Sequence, residues 1–546
     1  MSRPGQLATT VSTKLQTLAT LASAGIVRPS RPDRLLHTAV ALARWGPTPA
    51  AGYTVSATRY PDLVGIVDEL GTLTFREIHE RTNALAHALR EDGIGPGDGV
   101  AIMCRNHRHF IEAVVACSKL GANALFLNTQ FSKPQLTDVL EREKPAALVY
   151  DQEFAGLLDD ADVGLKRYIA WHEPGEAASD PLVGDLIARH DTSNHPAPDK
   201  PGKSTILTSG TTGTPKGASR AQPKSMDPIA ALLDRIPLKA RETTVIAAPL
   251  FHSWGFAHWS LAMSLSSTVV FKRRFDAEGI LSLAAQHQAS ALVVVPVMIQ
   301  RILELPDEVL ERHDLSALRV VPVSGSALPG SQSDRWMDLF GESIYNLYGS
   351  TEVAWATIAT PKDLREAPGT AGKPPRGTVV KLYDEDGKEV AQGETGRIFV
   401  GNEMQFEGYT GGGGKDVIEG LMSSGDVGHF DAKGRLFVDG RDDDMIVSGG
   451  ENVFPQEVED LLASHEKIGE AAVFGVDDEK FGQRLKAVVV TSGGDLSEDE
   501  VREYVKSNLA GYKVPRDVEF IDELPRNATG KVLKRELKGE EAADTK

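Results

Sequence analysis

The chain has 546 residues, of which 41% are hydrophobic and 25% are charged, and these proportions are typical of a folded globular protein rather than a disordered one. This length exceeds what one compact core normally accommodates, so several domains or subdomains are expected. The formal net charge of −18 argues against nucleic acid as the main partner, because proteins that bind DNA or RNA neutralise phosphates with a basic face.

The chain contains only two cysteines, Cys104 and Cys117, which excludes a disulfide framework and a cysteine-based zinc site. Both lie in apolar segments and are expected to belong to the core. No segment reaches the roughly eighteen consecutive apolar residues of a membrane span, and no compact secretory signal opens the chain. We therefore expect a cytoplasmic protein.

Residues 1–50 form an extension whose charge differs from that of the rest of the chain. It carries six basic residues and one acid, a net charge of +5, so the remainder carries −23. Apolar residues at helical spacing within 15–26 and 35–45 predict amphipathic helices. We expect these helices to pack on the flank of the protein itself. Peripheral contact with an anionic membrane and, for a eukaryotic source, a mitochondrial transit peptide are the alternatives.

Alternating helices and strands begin near residue 60. The hydrophobic periodicity predicts helices at 75–89 and 110–120, and strands at 99–103 and 147–150. This alternation is typical of an α/β fold in which helices sandwich the sheets.

Residues 208–217, Thr-Ser-Gly-Thr-Thr-Gly-Thr-Pro-Lys-Gly, are predicted to bind phosphate groups. Glycines let the backbone approach an anion, so that N–H groups and hydroxyls surround its oxygens while Lys216 adds a positive charge. The segment is not a Walker motif, because Lys216 precedes the final glycine and no serine or threonine follows to hold magnesium. Residues 204–207 are expected to lead into the loop as a strand edge.

Past residue 441 the pattern predicts a small α/β module. A helix with an initial proline is expected at 455–464, strands at 471–476 and 486–491, and a further helix at the Ser497-x-x-Glu500 capping box.

Several short motifs follow the phosphate loop in chain order. They are Ser-Gly-Ser-Ala at 324–327, Tyr-Gly-Ser-Thr-Glu at 348–352, Ser-Gly-Asp at 424–426, Gly-Arg-Asp at 440–442 and Pro-Arg-Asn-Ala-Thr-Gly-Lys at 525–531. Together they resemble the superfamily of ATP-dependent adenylate-forming enzymes, which includes acyl-CoA synthetases, luciferases and peptide-synthetase adenylation domains. The resemblance extends from about residue 50 to about residue 537.

This resemblance implies a domain organisation. A large adenylation domain at 51–440, with sheets sandwiched by helices, would follow the N-terminal extension 1–50. A small mobile α/β domain at 441–546 would pivot about Asp443. In relatives this rotation serves two half-reactions in turn. The three consecutive aspartates at 442–444 depart from the lysine that relatives often carry near this position.

The resemblance also implies roles for individual residues. Tyr348 would stack on adenine, Thr351 would contact the α-phosphate, Glu352 would hold Mg²⁺, and Asp426 and Arg441 would bind the ribose. Lys531 would reach the substrate carboxylate and the α-phosphate, and His252 would lie beside the adenylate. The remaining nucleotide-binding residues would be Thr208, Ser209, Gly210, Thr211, Thr212, Gly213, Thr214, Lys216, Ser324, Gly325, Ser326, Ala327 and Gly349, and the coenzyme A tunnel would involve Ser448, Gly449, Gly450 and Glu451.

The activity that this resemblance implies is that of an AMP-forming CoA ligase for a medium- to long-chain fatty acid, with ATP, Mg²⁺ and coenzyme A. His252 stands where relatives that activate amino acids place an aspartate, which argues against an amino acid substrate. A fatty acyl-AMP ligase that serves a carrier protein and an aryl-CoA ligase are alternatives. A non-catalytic acyl or nucleotide sensor is a hypothesis from another class, and a homodimer is left open.

Overall fold

The structure is a computed structural model. It describes residues 3–29, 31–158, 164–208, 216–220, 225–404, 406–409, 414–444, 446–448, 451–478, 482–527 and 530–539. Its contacts divide the chain into two compact units. The first unit comprises Met1–Val294, Glu304–Pro322 and Glu403–Gly414, and the second comprises Val295–Leu303, Val323–Asn402 and Lys415–Lys546. The domain boundary that the sequence predicts at residue 440 stays a prediction.

Helices and strands alternate along most of the described chain, as the sequence predicts. The helices are α1 (Arg3–Ser23), α2 (Pro32–Trp45), α3 (Pro49–Arg59), α4 (Phe75–Glu91), α5 (Arg108–Leu120), α6 (Lys133–Glu143), α7 (Val183–Arg189), α8 (Asp227–Arg235), α9 (Ser253–Ser264), α10 (Ala277–Gln286), α11 (Pro296–Leu303), α12 (Asp307–Leu310), α13 (Gly330–Phe340), α14 (Pro361–Glu366), α15 (Pro455–Leu462), α16 (Glu498–Asn508) and α17 (Lys534–Leu537).

The strands are short in most of the chain and longest near its C-terminal end. They are β1 (Val64–Asp68), β2 (Gly71–Thr74), β3 (Gly99–Met103), β4 (Asn123–Phe126), β5 (Ala147–Asp151), β6 (Lys166–Trp171), β7 (Ser204–Thr208), β8 (Lys216–Arg220), β9 (Thr243–Ile246), β10 (Thr268–Val270), β11 (Ala291–Val293), β12 (Val321–Val323), β13 (Ile344–Tyr348), β14 (Thr357–Ala359), β15 (Val379–Tyr383), β16 (Gly396–Gly401), β17 (Phe406–Tyr409), β18 (Val417–Ile418), β19 (Leu421–Phe430), β20 (Leu436–Arg441), β21 (Ile446–Ser448), β22 (Glu451–Val453), β23 (Ile468–Asp478), β24 (Gly482–Thr491) and β25 (Asp517–Phe520).

The first unit contains two sheets. One has seven strands in the order β17-β8-β7-β4-β3-β5-β6, and the other has five in the order β11-β9-β10-β1-β2. The pairs from β7 through β4, β3 and β5 to β6 are parallel, whereas β8 and β17 are antiparallel to their neighbours. Helix α5 contacts strands of both sheets, and twelve of its side chains are buried. A helix that is buried all round belongs between layers, so the predicted sandwich is confirmed.

The second unit contains two further five-stranded sheets and the antiparallel pair β13–β14. One sheet has the order β15-β16-β19-β18, and β20 also pairs with β19. The other has the order β22-β21-β24-β23, and β25 pairs with β24. The predicted capping box is present, because Ser497 accepts from the backbone N–H of Glu500 and the Glu500 side chain accepts in return. One expectation is corrected. The hydrophobicity of the run 293–299 predicts a buried strand and its exit, but β11 ends at Val293 and Pro296 begins α11.

The N-terminal extension is helical, as predicted, and the two helices are α1 and α2. None of the described helices combines the length and the hydrophobicity that a membrane crossing requires.

A fully buried carboxylate, Glu112, lies on α5. Its Oε1 is 2.5 Å from Nε of Arg81 on α4, and its Oε2 is 2.6 Å from Nδ1 of His109. Burial by itself would raise the pKa of Glu112, but the hydrogen bonds and charges of His109 and Arg81 outweigh burial and lower it to about 2. The ionised carboxylate therefore joins α4 to α5.

We predict that Glu112→Gln destabilises the protein by roughly 3–5 kcal/mol, because it leaves Arg81 and His109 without their anion in the interior. The pKa of Glu112 is about 2 in the folded protein, below that of an unfolded carboxyl. The stability that the ionised Glu112 provides is therefore fully present above pH ~4.5 and is lost as the pH falls towards ~2. Urea unfolding across this pH range measures both effects.

The matched control is Glu498→Gln, which removes an exposed carboxylate from an ion pair with Arg502 on α16. An exposed pair contributes about 0–1 kcal/mol, so this variant should unfold close to the wild type. Equal shifts for the two variants would contradict the assigned role of Glu112.

Candidate functional site

The predicted phosphate loop leaves the seven-stranded sheet at the end of β7 and returns to it as β8. These strands are antiparallel, with Thr208 opposite Lys216. The predicted strand edge at 204–207 is confirmed as part of β7. A Walker loop leads into a helix, whereas residues 216–220 form a strand, so the described backbone excludes that architecture.

Much of the loop itself lies outside the described residues. This applies to Ser209, Gly210, Thr211, Thr212, Gly213 and Thr214, and also to the side chains of Thr208 and Lys216. Their assignment to phosphate binding therefore stays a prediction.

His252 immediately precedes the first turn of α9 and is half-buried. Burial lowers its pKa to about 4, so the imidazole is neutral near pH 7. The approach to the helix is held by Asn106, whose Oδ1 accepts from the N–H of Leu250 and whose Nδ2 donates to the carbonyl of Ala248. A neutral imidazole at this position can exchange hydrogen bonds but offers no permanent cation.

The surroundings of His252 are aromatic and apolar. The ring of Phe251 lies 5.1 Å from that of His252, and Phe256 on α9 lies 4.8 Å from Phe126 at the end of β4. The indole N–H of Trp254 donates to the carbonyl of Val294. The side chains in these contacts are all aromatic.

In the second unit, Tyr348 ends β13 and the chain turns sharply after it. A Cβ on Gly349 would lie 2.2 Å from the carbonyl oxygen of Ala354, so only glycine fits there, and Ala354 itself has φ of 64°. Asn402 fastens the turn by donating to the carbonyls of Val353 and Trp355. Thr351 and Glu352 are therefore presented from a fixed, half-buried turn.

Asp426 and Arg441 lie opposite each other on β19 and β20, and Tyr348 joins them. The phenol oxygen of Tyr348 is 2.5 Å from Oδ2 of Asp426, and Nη1 of Arg441 is 3.4 Å from Oδ1. The pKa of Asp426 is raised overall, because the effect of burial exceeds the opposing effects of Tyr348, Arg441 and Lys531. Burial and the adjacent carboxylate raise the pKa of Tyr348 well above its usual range, so Tyr348 stays a neutral donor.

Lys531 is exposed and stands at the end of a tight turn in the same unit. Asn527 holds this turn, because its N–H donates to the carbonyl of Lys531 while its Oδ1 accepts from the N–H of Lys531, both at 2.9 Å. Arg526 donates to the carbonyl of Gly530 and to Glu470 on β23. The charge of Lys531 lowers the pKa of Asp426, so the two predicted site residues interact electrostatically within the second unit.

Gly530 permits this placement. It has φ of 79°, and a Cβ there would lie 2.2 Å from Cγ1 of Val297 on α11. Glu470 also accepts a hydrogen bond from Gln300 of α11, at 2.9 Å. The turn that carries Lys531 is therefore packed against α11 within the second unit.

Glu352 is the residue that the sequence assigns to Mg²⁺. The Ser350 hydroxyl donates to its Oε2 at 2.8 Å, which orients the carboxylate. A single oriented carboxylate fits Mg²⁺, which keeps several waters and takes most of its other ligands from substrate phosphates.

The other predicted site residues are placed as follows. Ser324 is buried at the end of β12, whereas Gly325, Ser326 and Ala327 are exposed, with Gly325 at φ of 111°. Asp443 lies in the short turn 442–444 between β20 and β21, and its side chain is outside the described residues.

The proposed coenzyme A segment lies at the hairpin of β21 and β22, where Ser448 pairs with Glu451. Gly449 and Gly450 between them are outside the described residues, as are the side chains of Ser448 and Glu451. Their role in a thiol tunnel stays a prediction.

Cys104, His107 and Asp151 form a buried group of three potential metal ligands in the described part of the first unit. Both imidazole nitrogens of His107 are engaged, Nε2 with Asp151 at 2.8 Å and Nδ1 with the N–H of His109. Burial also raises the pKa of the Cys104 thiol well above its usual range, so it does not supply a thiolate. These residues form a structural cluster, and both cysteines are buried as expected.

Four residues that position predicted site residues, one in the first unit and three in the second, have no signal of their own in the sequence. They are Asn106, Asn402, Gln300 and Glu470. Each acts through backbone groups or side chains distant along the chain, so its role is visible only in the fold. Asn527 lies inside a recognised motif, and its role could have been inferred from its position four residues before Lys531.

Two family models match the chain. The model described as AMP-binding enzyme matches residues 53–410, and the model described as AMP-binding enzyme C-terminal domain matches residues 457–531.

Individual proteins are similar over nearly their whole length. A feruloyl-CoA synthase of an Amycolatopsis species is 33% identical over 85% of this chain and 93% of its own. A fatty acid–[acyl-carrier-protein] ligase of Streptomyces coeruleorubidus is 29% identical over 88% of this chain and 94% of its own. A solved o-succinylbenzoate CoA synthetase of Bacillus subtilis, in complex with an acyl-adenylate intermediate, has a TM-score of 0.77 at 27% identity and covers 89% of this chain and 97% of its own. The chain belongs to the AMP-binding enzymes of the adenylate-forming superfamily.

Proposed function

We propose that the protein is an AMP-forming acid–thiol ligase that activates a medium- to long-chain fatty acid as its acyl-adenylate and transfers the acyl group to coenzyme A. The observation that carries the proposal is the cluster in which Tyr348 and Arg441 hold the Asp426 carboxylate and the charge of Lys531 acts on it. A ribose-binding carboxylate and a cation suited to an α-phosphate are thereby held within one electrostatic environment.

The chemical problem explains why these residues are needed. A carboxylate is a poor acylating agent because its leaving group would be oxide. Attack of a carboxylate oxygen on the α-phosphorus of ATP forms a new P–O bond and breaks the bond to pyrophosphate, and two anions must approach each other for this to happen. The ammonium of Lys531 offsets their repulsion, and Asp426 and Arg441 fix the ribose.

The charge of the leaving pyrophosphate also needs compensation. The oriented carboxylate of Glu352 would hold Mg²⁺, which neutralises charge on the phosphates when bound. We also propose that the donors of residues 208–217 bind the phosphates. Residues 448–451 would guide the coenzyme A thiol to the acyl carbon after Lys531 has been withdrawn by rotation about Asp443.

The apolar lining around His252 supports a hydrophobic acid. The chain has no carboxylate after Phe251 to pair with a substrate ammonium, and the pKa of His252, lowered to about 4 by burial, makes that side chain neutral. This combination argues against amino acids and against dicarboxylic acids whose second charge would need a partner there.

An aromatic acid with a single carboxylate is the second candidate, because the name of the feruloyl-CoA synthase gives such a substrate. A carrier protein is the alternative acceptor to coenzyme A, because one relative is named as a fatty acid–[acyl-carrier-protein] ligase.

Lys531→Ala should reduce adenylation by about 100-fold or more, because the variant lacks the cation that offsets charge in the transition state. It should leave thioester formation from supplied acyl-adenylate nearly unchanged. Pyrophosphate release measures the first step, and acyl-CoA formation from synthetic acyl-adenylate measures the second.

Lys538→Ala is the matched control for charge, since it removes an exposed lysine seven positions further along the chain. It should leave both steps as they are in the wild type. A similar loss of both steps in Lys531→Ala would exclude a role confined to adenylation.

Asp426→Asn should raise KM for ATP by about 10- to 100-fold, because a neutral amide accepts weaker hydrogen bonds from the ribose hydroxyls than a carboxylate does. Burial raises the pKa of Asp426, so the wild-type carboxylate becomes protonated at a higher pH than an ordinary aspartate. KM for ATP should therefore rise as the pH falls, and this rise should be absent in Asp426→Asn. A pH-independent wild-type KM would contradict the assignment.

Incubation with ATP, Mg²⁺, coenzyme A and a pool of C4 to C20 fatty acids and aryl acids tests the substrate. Mass spectrometry should detect AMP, pyrophosphate and the CoA thioesters of the longer fatty acids. Aryl-CoA as the main product would select the second candidate. Acyl-adenylate that accumulates without thioester would indicate a carrier-protein acceptor, and the absence of any product would support a non-catalytic sensor.

A further inference from the structure

The second helix of the N-terminal extension exposes most of its apolar side chains to solvent. Helix α2 packs on α3 through Arg34, Thr38, Ala41 and Trp45, the positions whose side chains are buried or half-buried. The opposite face is exposed and wholly apolar, and it consists of Pro32, Leu35, Leu36, Ala39, Val40, Leu42 and Ala43. Amphipathic helices of globular proteins bury their apolar face, so this helix has the reverse orientation.

Helix α1 repeats the pattern over its described side chains. Thr17 and Leu21 are buried, and the Thr17 hydroxyl donates to Asp227 of α8. Leu15 and Leu18, which lie on another face at a spacing of three, are 63% and 51% exposed. Fourteen large hydrophobic side chains are exposed in the described part of the chain, and seven of them lie between Leu15 and Leu42.

The segment between the two helices is fixed to the first unit. The N–H of Ala240 donates to the carbonyl of Ala24, Nη1 of Arg241 donates to that of Gly25, and Nη1 of Arg59 donates to that of Ile26. The exposed apolar faces are therefore held in place by contacts on the other side of the extension. They are a built surface, defined here as the N-terminal apolar surface, rather than the side chains of a loose tail.

The charge of this region indicates what covers the surface. Residues 1–50 carry +5 whereas the remainder carries −23. Exposed cations border the apolar faces, among them Lys14, Arg28 and Arg44. Exposed leucines with neighbouring cations match a membrane that presents acyl chains below anionic headgroups. A second copy of the chain is a poorer fit, because a symmetric dimer would bring two positively charged surfaces together.

We infer that the N-terminal apolar surface is a peripheral docking site for an anionic phospholipid membrane. Helices α1 and α2 lie along the interface, their leucines enter the boundary between headgroups and acyl chains, and the arginines contact the headgroup phosphates. The inference stands apart from the choice between fatty and aromatic acids, since it depends on surface chemistry alone.

Sedimentation of the full-length protein with vesicles tests the inference, without ATP, coenzyme A or acid. The protein should bind vesicles of equal parts phosphatidylglycerol and phosphatidylcholine at ~0.1 M salt, where charges interact over about 10 Å, and much more weakly at ~1 M salt. It should bind vesicles of phosphatidylcholine alone far less. Because no substrate is present, failure of this test and failure of the proposed ligase activity are distinguishable.

Two pairs of substitutions separate the apolar and electrostatic contributions. Leu36→Gln with Val40→Gln should lower the vesicle partition coefficient by about 30-fold or more, because these side chains lose the apolar environment without any change of charge. Arg28→Gln with Arg44→Gln should lower it by about 30-fold, since each basic residue near an anionic surface contributes about five-fold.

Each pair has a matched control elsewhere on the surface. Leu70→Gln with Leu339→Gln replaces two leucines that are 52% and 44% exposed, and Lys144→Gln with Lys200→Gln removes two exposed cations. Both control pairs should bind as the wild type does. All the substituted side chains face solvent, so circular dichroism and thermal unfolding should be unchanged.

Three results would overturn the inference. One is a wild-type protein that does not sediment with the anionic vesicles, and another is equal binding by the N-terminal variants and their controls. The third is a dimer, detected by analytical ultracentrifugation, that dissociates in the variant Leu36→Gln with Val40→Gln while vesicle binding is unaltered. This result would assign the surface to a second copy of the chain.

Discussion

Compensation of a buried negative charge is the constraint on which the candidate site of the second unit depends. The Asp426 carboxylate is largely shielded from water, and burial raises its pKa. Tyr348 and Arg441 reach it from two other strands, and the charge of Lys531 acts on it from the C-terminal turn. Because removing any one partner weakens the compensation, segments that are distant in the sequence are held in one arrangement.

The turn that carries Lys531 combines an exposed side chain with a fixed backbone. The role proposed for Lys531 requires a cation that is exposed to the substrate and precisely placed, because placement accounts for much of such an electrostatic effect. Asn527 fixes the backbone at both N–H and carbonyl of Lys531, and Arg526 ties the turn to Glu470. The glutamate in turn accepts from Gln300, so the support continues into α11. The side chain of Lys531 stays exposed while its backbone is held.

The N-terminal extension differs from the rest of the chain in its exposed side chains and its charge. In its described residues, the segment between α1 and α2 is held through backbone carbonyls, whereas five of the leucines in the two helices are exposed. The charge of the extension is opposite to that of the remaining chain, which is acidic although its expected substrates are anions. Basic residues thus outnumber acidic ones in the extension, whereas acidic residues outnumber basic ones over the rest of the chain.

Local structure was largely predictable. The strand at 99–103 was predicted with its observed bounds, and the capping box at Ser497 and Glu500 forms as the spacing indicates. These features depend on residues within a few positions of each other, so the relevant interactions can be read along the chain. The helix at 296–303 was missed because an apolar run of that length is compatible with a buried strand or a buried helix, and tertiary packing decides between them.

The sequence by itself determined the adenylate-forming family, the order of its motifs and the identity of Tyr348, Asp426, Arg441 and Lys531 as candidate site residues, because each motif is a short local pattern. Only the tertiary structure decided that these four belong to one electrostatic cluster, that Asn106, Asn402 and Glu470 support the site, and that the apolar face of α2 points outward. Each of these facts depends on contacts between residues tens to hundreds of positions apart, or on which face of a helix meets its neighbour. Neither is encoded in local spacing.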